Sequence, residues 1–337
     1  MTLLEVSDLN VRFPTEDGTV HAVRGVSFSL DHGDVLGVVG ESGCGKSVTA
    51  MALMGLLPRS AKVEGSIKFE GEEIVGLKRN ELVRFRGNRM GMIFQDPMTS
   101  LNPVYSVGWQ LAEAIQAHNK ISKKAALNRA VELLEIVGIP EPQRRVKNFP
   151  HEFSGGMRQR VMIAMAMAND PQVLIADEPT TALDVTVQAQ ILETLVRVKD
   201  ELNAAIILIT HDLGVVASMA DRVQVMYAGA VVESGTVDDI FYRTRMPYTA
   251  GLLGAIPSVT GSGGGRLNQI KGSTPSLIRL KPGCPFSSRG PLVTDVCLAS
   301  EPPLTDTDGP GHIAACHRWR DLVGVDGRLL FHEKATA

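Results

Sequence analysis

One eight-residue segment, residues 40–47, constrains this chain more than any other part of its sequence. It reads GESGCGKS, which fits the pattern G-x-x-x-x-G-K-[ST]; a chance match in a chain of this length is on the order of one in a hundred. The apolar run Val35–Val39 precedes the segment, and Val48–Leu57, an apolar stretch that predicts a helix, follows it. This order of strand, glycine-rich loop and helix is the setting that a phosphate-binding loop requires.

The chemistry of such a loop follows from its backbone and from two of its side chains. Glycines let backbone N–H groups turn inward onto phosphate oxygens, and the following helix contributes the positive end of its dipole. We therefore expect Lys46 to reach the β- and γ-phosphates of a nucleotide and Ser47 to ligate Mg²⁺. The predicted phosphate-contacting residues are Gly40, Glu41, Ser42, Gly43, Cys44, Gly45, Lys46, Ser47 and Val48.

Three further candidate side chains follow two other apolar runs, Val173–Ala176 and Ala205–Ile209. Because ligands of parallel sheets gather at the carboxyl ends of the strands, we expect Asp177 to hold Mg²⁺ and Glu178 to act as general base on water. His211 would lie at the same edge and hydrogen-bond the γ-phosphate. Taken alone, two acids after a strand fit a simple turn and a lone histidine is usually structural, so these assignments depend on the phosphate loop.

Composition excludes several classes of protein. The 337 residues are 44% hydrophobic and 21% charged, which excludes a wholly disordered chain. The 34 Lys and Arg residues against 37 Asp and Glu residues leave a net charge of −3, without the cationic excess of a nucleic-acid-binding surface. No apolar run approaches the roughly 18 residues of a spanning helix. The first residues lack a signal-peptide pattern, so we expect a cytoplasmic protein that acts at membranes only through partners.

Short apolar runs alternate with the helical stretches Gly108–His118 and Lys123–Val137, which predicts an α/β fold around a mostly parallel sheet. At about 150 residues per domain, the length suggests roughly two domains. Glycine and serine dominate residues 260–265, which reads as a linker, and proline and glycine are dense beyond it. We predict one domain at 1–240 and a loop-rich module at 241–337. The predicted strands are Leu3–Val11, Gly25–Leu30, Val35–Val39, Met90–Phe94, Val173–Ala176 and Ala205–Ile209.

The segment Phe153–Arg160 (FSGGMRQR), taken with the phosphate loop and the strand before Asp177, resembles the signature sequence of ATP-binding-cassette (ABC) ATPases. Phe94–Pro97 resembles that family's glutamine loop, Ala182–Asp184 its D-loop and His211 its switch histidine. Closer features are similar to the ATPases of dipeptide and oligopeptide importers. They are DPMTSLNP at 96–103, FSGGMRQRVMIAMA at 153–166 and PYTAGLL at 247–253, so the resemblance covers nearly the whole chain.

The resemblance implies a P-loop NTPase fold of the ABC type. Its expected parts are a RecA-like core, an antiparallel β subdomain, a helical subdomain at about residues 91–153 and a small loop-rich C-terminal extension. Gln95 would sense Mg²⁺ and the attacking water where the core meets the helical subdomain.

ABC ATPases work as head-to-tail dimers with two ATP molecules at the interface, and the resemblance extends this arrangement to the chain. Ser154, Gly155 and Gly156 precede a predicted helix, Met157–Ala168, and would contact the γ-phosphate held by the other subunit. Asp184 would bridge the two sites.

The function that the resemblance implies is the energising of an importer for dipeptides or oligopeptides. ATP-driven dimer closure would be coupled to two membrane permease subunits, with a second ATPase subunit, identical or homologous, completing the dimer. A substrate-binding protein outside the cytoplasm would take part in transport indirectly, and nucleic acid would not be a partner. The chain would lie peripherally on the cytoplasmic face of the cell membrane. The alternatives are an importer for nickel or another small solute and, less favoured, a soluble ABC ATPase outside transport.

The adenine contact has two candidates. In the ABC family an aromatic residue near the N-terminus often stacks on the base, which makes Phe13 the first candidate and His21 the second. Phe13 fits the core of a strand equally well.

Several peptide-importer ATPases carry four cysteines in an iron–sulfur-like pattern near the C-terminus. This chain has Cys284, Cys297 and Cys316, and Gly290 stands where the family's second cysteine falls. Since a [4Fe–4S] cluster normally takes four thiolates, three readings stay open: a cluster with a substitute fourth ligand, a Zn²⁺ site of three Cys and one His, or a relic fold with free thiols. The substitutes are water, a partner chain, Asp295, His312 or His317.

Overall fold

The computed structural model describes residues 2–96, 100–181, 183–255, 270–325 and 330–331. The predicted linker at 260–265 lies outside the described residues, as do residues 97–99 after the glutamine loop and Ala182 of the predicted D-loop. The strands are β1 Leu4–Thr15, β2 Gly18–Leu30, β3 Val35–Val39, β4 Lys62–Phe69, β5 Glu72–Glu73, β6 Met90–Ile93, β7 Val173–Asp177, β8 Ala205–Thr210, β9 Arg222–Tyr227, β10 Ala230–Thr236, β11 Thr305–Asp306 and β12 Ile313–Ala314. The α-helices are α1 Lys46–Leu53, α2 Arg79–Leu82, α3 Val107–Gln116, α4 Lys123–Ile136, α5 Pro142–Arg145, α6 Gly155–Ala166, α7 Val185–Leu202, α8 Leu213–Met219, α9 Val237–Tyr242, α10 Pro247–Gly254 and α11 Asp295–Ala299.

The larger sheet positions the candidate site. Its strand order is β11-β12-β10-β9-β3-β8-β7-β6, and the pairings from β9 to β6 are parallel. Strands β3, β7 and β8 are buried along their whole length, which explains their continuous apolar sequences. Val39 is paired with Thr210, and Asp177 with Ile209. The ends of β3, β7 and β8 therefore meet at one edge of the sheet, as the sequence predicts.

A smaller antiparallel sheet, in the order β2-β1-β4-β5, forms the expected β subdomain. The turn from Thr15 to Gly18 joins the two long strands β1 and β2. The inward side chains of this sheet, among them Leu9, Val26 and Phe69, share one apolar cluster with Leu53 of α1. Burial of this cluster holds the smaller sheet against the helix that follows the phosphate loop.

The helices between β6 and β7 cover one face of the larger sheet. Serine side chains cap two of them: the hydroxyl of Ser106 accepts from the N–H of Trp109, and that of Ser122 from the N–H of Ala125. Leu111 of α3 shares one buried cluster with the sheet. The predicted helices Gly108–His118 and Lys123–Val137 are confirmed to within two residues at each end.

The C-terminal residues add to the cassette rather than stand apart from it. Strand β12 pairs with β10, with Ala314 opposite Glu233. The rings of Tyr227, Tyr248 and Phe286 form a cluster with centroid separations of 4.6, 5.3 and 5.4 Å. Phe286 thereby packs against the end of β9 and against α10.

The predicted α/β class is confirmed. Residues 91–93 lie in strand β6 of the larger sheet, so within the predicted helical region the first helix of eight or more residues begins at Val107. The predicted domain boundary at residue 240 stays a prediction. Among the described residues, no helix combines the length and apolar character needed to cross a membrane.

Candidate nucleotide-binding site

The phosphate loop has a backbone that only glycine accommodates at two positions. Gly40 has φ +152°, and a Cβ there would lie 2.2 Å from the carbonyl oxygen of Met226. Gly45 has φ +107°, and a Cβ there would lie 2.5 Å from the carbonyl oxygen of Ala22. The glycines of the motif are therefore required by close packing against neighbouring strands as well as by the turn itself.

Lys46 is the first residue of α1 and only 5% exposed. Its Nζ donates to the carbonyl oxygens of Gly40, at 2.7 Å, and Glu41, at 3.1 Å. The ammonium group thus lies folded across its own loop, where a bound phosphate would compete for the same donor. The predicted role of Lys46 at the phosphates stays a prediction.

Ser47 and Asp177 come together across the sheet edge. The Ser47 hydroxyl donates to Oδ1 of Asp177 at 3.0 Å. Asp177 is buried, and its desolvation raises the pKa of the carboxyl, a shift that the Ser47 hydroxyl opposes. A hydroxyl and a carboxylate side by side are oxygen donors of the kind that Mg²⁺ prefers.

Two other residues predicted for the site, Gln95 and His211, lie next to the carboxylate of Glu178. Its Oε2 accepts from Nε2 of Gln95 at 2.9 Å, and its Oε1 lies 3.5 Å from Nδ1 of His211. Glu178 itself has φ +48°, a strained conformation for this residue that is characteristic of functional sites. The Thr181 hydroxyl donates to the same Oε2 at 2.8 Å. Sequence analysis did not identify Thr181 as a site residue, because its contact with Glu178 depends on the turn that follows β7.

The signature segment begins helix α6. Ser154 is its N-cap, and its hydroxyl accepts from the N–H of Met157 at 3.3 Å. Ser154 and Gly155 are exposed. Asp184 caps α7 in the same way, since its Oδ1 accepts from the N–H of Val187 at 3.0 Å. A Cβ on Gly156 would lie 2.6 Å from Cγ1 of Val187, so the two helix starts pack against each other and present one surface.

The adenine candidates lie on the smaller sheet. Phe13 of β1 is partly buried against the apolar cluster of that sheet. Nε2 of His21, on β2, lies 3.0 Å from Oδ1 of Asn10, and burial lowers the pKa of the histidine.

The three C-terminal cysteines do not fit a metal group. Within the described part of the chain, no group of three or more His, Cys, Asp or Glu side chains is placed to hold a metal ion. Burial raises the pKa of the Cys284 thiol, and that of Cys316 to about 12. His312 lies 3.0 Å from buried Glu233, and His317 contacts the carbonyl of Ser300.

The parallel sheet, the phosphate loop and the Asp177-Glu178 pair with Gln95 and His211 define an ATP-binding-cassette ATPase domain. Comparison with known proteins agrees: residues 23–181 match the family model described as "ABC transporter". Residues 232–297 match the model of the "Oligopeptide/dipeptide transporter, C-terminal region". The chain belongs to the family of oligopeptide and dipeptide ABC transporter ATP-binding proteins.

Individual relatives show how far the similarity extends. The oligopeptide transport ATP-binding protein OppD of Bacillus subtilis is 56% identical over 90% of this chain and 85% of its own length. The OppD protein of Mycobacterium tuberculosis is 55% identical over 99% of this chain, which spans only 55% of that relative's length. Among solved structures, a dimeric ATP-binding cassette in a post-hydrolysis state, bound to ADP and Pi, is 25% identical with a TM-score of 0.63. It aligns with 69% of this chain and 98% of its own.

Proposed function

We propose that this chain is the ATP-hydrolysing subunit of an ABC importer for dipeptides or oligopeptides. The observation that carries the proposal is the convergence of Gln95, Thr181 and His211 on Glu178, beside the Ser47–Asp177 pair. The names of the relatives support peptides as the solute class.

Each residue of the site has one task in hydrolysis. Lys46 leaves the loop carbonyls and binds phosphate oxygens, and Ser47 and Asp177 are the residues that would hold Mg²⁺. When bound, that ion neutralises charge on the β- and γ-phosphates. Glu178 takes the proton of the attacking water, since Gln95 and Thr181 donate to one of its carboxylate oxygens and orient the other. His211 donates a hydrogen bond to the γ-phosphate.

A second ATPase subunit, identical or homologous, completes each site. The exposed Ser154 and Gly155, with Gly156, present a helix N-terminus to the γ-phosphate bound by the other subunit. Asp184, next to this surface, bridges the two sites. ATP favours the closed dimer because it contacts both halves, and hydrolysis removes that contact.

A groove beside Gln95 is suited to the permease partner. Its volume is about 460 Å³, and its lining includes Met92, Phe94, Met162 and Met165. Methionine side chains are flexible and polarizable, so such a surface adapts to an inserted apolar helix. We propose that two permease subunits dock here, which places the chain peripherally on the cytoplasmic face of the membrane. A substrate-binding protein acts through the permeases, and nucleic acid takes no part.

Phe94→Asp should release the permeases. Phe94 is 43% exposed, so the substitution leaves the fold intact but would bury an unpaired carboxylate at the interface. Co-purified permease should fall about tenfold or more, since such a charge costs at least about 1.4 kcal/mol. The matched control is Tyr242→Asp, on an exposed aromatic outside the groove. Equal permease recovery with both variants would contradict the docking assignment.

Phe13→Leu should weaken ATP binding if Phe13 stacks on adenine, as we propose. The loss should be about fivefold or more in Kd, since stacking of a base on an aromatic ring contributes about 1–3 kcal/mol. Phe28→Leu, on the neighbouring strand and partly buried in the same cluster, is the matched control. An effect with His21→Leu and none with Phe13→Leu would move the adenine contact to His21.

The whole proposal is tested by identifying the partners of the tagged chain. Membranes are solubilised gently and the co-purifying proteins are identified by mass spectrometry. We expect two permeases, with or without a second ATPase, and peptide-dependent ATP hydrolysis in the reconstituted complex. A chain bound to ribosomes or DNA would overturn the transport function. An iron–sulfur cluster or zinc has no place in the proposal, because the cysteine region does not fit one.

A further inference from the structure

The C-terminal extension reaches the phosphate loop through one side chain. Arg289 makes a bidentate ion pair with Glu41, the second residue of the loop. The two terminal nitrogens of Arg289 donate to Oε2 of Glu41 at 2.6 Å and to Oε1 at 2.8 Å. The two residues are 248 positions apart in sequence. A paired geometry of this kind is the strongest form of an arginine–carboxylate contact.

The guanidinium group of Arg289 is buried and hydrogen-bonded on several sides. The Arg289 side chain is only 4% exposed. Its Nε donates to the carbonyl of Lys271 at 3.1 Å, and one terminal nitrogen donates to that of Ile270 at 3.2 Å. The other terminal nitrogen lies 3.4 Å from the Tyr227 hydroxyl. The extension therefore supplies both the cation and much of the frame that holds it.

The Glu41 peptide is also held at its backbone. Its N–H donates to the Tyr248 hydroxyl at 2.8 Å, and its carbonyl accepts from Lys46 at 3.1 Å. The carbonyl also accepts from the N–H of Cys44 at 3.3 Å. Side chain, N–H and carbonyl are thus all bonded, and two of the four partners, Tyr248 and Arg289, come from residues after 240. The conformation of this loop thus depends on the extension.

The charge of Glu41 matters for what the loop binds. A carboxylate next to a triphosphate repels it, and in a partly desolvated site this repulsion is weakly screened. Arg289 cancels that charge. Other ion pairs between cassette and extension, such as Arg24 with Glu301 at 2.6 Å, join the parts without an acid of the phosphate loop.

We propose that Arg289 is a positioning residue for nucleotide binding: it neutralises and anchors Glu41, so the loop reaches full ATP affinity only with the extension docked. The inference rests on the proposed ATP site and assigns the extension a task in it. A docking contact of purely structural value would change stability and leave the dependence of affinity on phosphate charge untouched.

The test measures the Kd of a fluorescent ATP analogue, with ADP and AMP as competitors, on the full chain. Arg289→Met should raise the Kd for ATP about tenfold and that for AMP much less, and 1 M salt should reduce the difference because the screening length falls to about 3 Å. Adding Glu41→Gln to Arg289→Met should restore the Kd to within about threefold of wild type, since the repelling charge is gone. The matched control Arg24→Met should leave the Kd unchanged.

The outcomes separate the hypotheses. If Arg289→Met and Arg24→Met lower the melting temperature alike and neither changes the Kd for ATP, the positioning role is wrong. A tenfold loss that Glu41→Gln does not rescue would also overturn it. If Arg289→Met does not fold, two other variants replace it. Arg289→Lys retains the positive charge and should bind ATP more tightly than Arg289→Gln, which lacks that charge. Equal ATP affinities of these two variants would contradict the proposal. Failure of the wild-type chain to bind ATP would instead overturn the proposed function.

Discussion

Replacing Glu178 with glutamine should abolish nearly all ATP hydrolysis and leave ATP binding intact. The amide has the size of the carboxylate and its oxygen still accepts from Gln95 and Thr181, as the carboxylate does at 2.9 and 2.8 Å. It cannot take a proton from water. We expect the turnover rate of the assembled complex to fall about 10²- to 10⁴-fold, the usual contribution of a general base.

The measurement pairs phosphate release with nucleotide affinity. The Kd for ATP should stay within about twofold of wild type, because Glu178→Gln removes a proton acceptor rather than a phosphate ligand. Closed dimers should accumulate when ATP is added, because hydrolysis no longer opens them. Glu135→Gln, on an exposed position of α4, controls for the substitution. Retained steady-state turnover in the Glu178→Gln complex would refute the general-base assignment.

Replacing Lys46 with alanine should weaken nucleotide binding itself. The ammonium group, now donating to the carbonyls of Gly40 and Glu41, is the buried cation of the loop. A hydrogen bond to a charged group contributes about 1.5–3 kcal/mol, so the Kd for ATP should rise about 10- to 100-fold.

Two comparisons make the lysine result specific. Lys124→Ala removes an exposed lysine from α4 and should leave the Kd for ATP unchanged. The loss with Lys46→Ala should grow from AMP to ATP, because the ammonium group is expected at the β- and γ-phosphates. An ATP affinity equal to that of wild type would contradict the phosphate-loop role.

Helix positions show what local sequence patterns predict well and where they stop. Apolar spacing predicts a helix from Val48 and another from Met157, and both helices exist but begin two residues earlier, at Lys46 and Gly155. The first two residues of each helix are small or polar and belong to the predicted site, so the apolar period starts only at the third. Buried strands such as Val35–Val39 were located to the residue, because a strand buried on both faces is one continuous apolar run.

Long-range pairing explains most of the other differences. The predicted strands Leu3–Val11 and Gly25–Leu30 are parts of a hairpin that extends through Thr15 and back from Gly18. Its outer half is rich in polar and exposed residues, and pairing between the two strands keeps it extended. Periodicity carries no signal for such a segment.

The sequence by itself determined the phosphate loop, the α/β class and the acids after β7, because each depends on residues adjacent in the chain. The contacts of Glu178 with Gln95 and His211 could not be inferred from the sequence, and neither could the ion pair between Glu41 and Arg289. Those contacts arise where parallel strands end at one edge and where the extension folds back over the cassette. Tertiary structure alone decided them, since a contact between distant residues depends on how whole elements pack and not on local propensity.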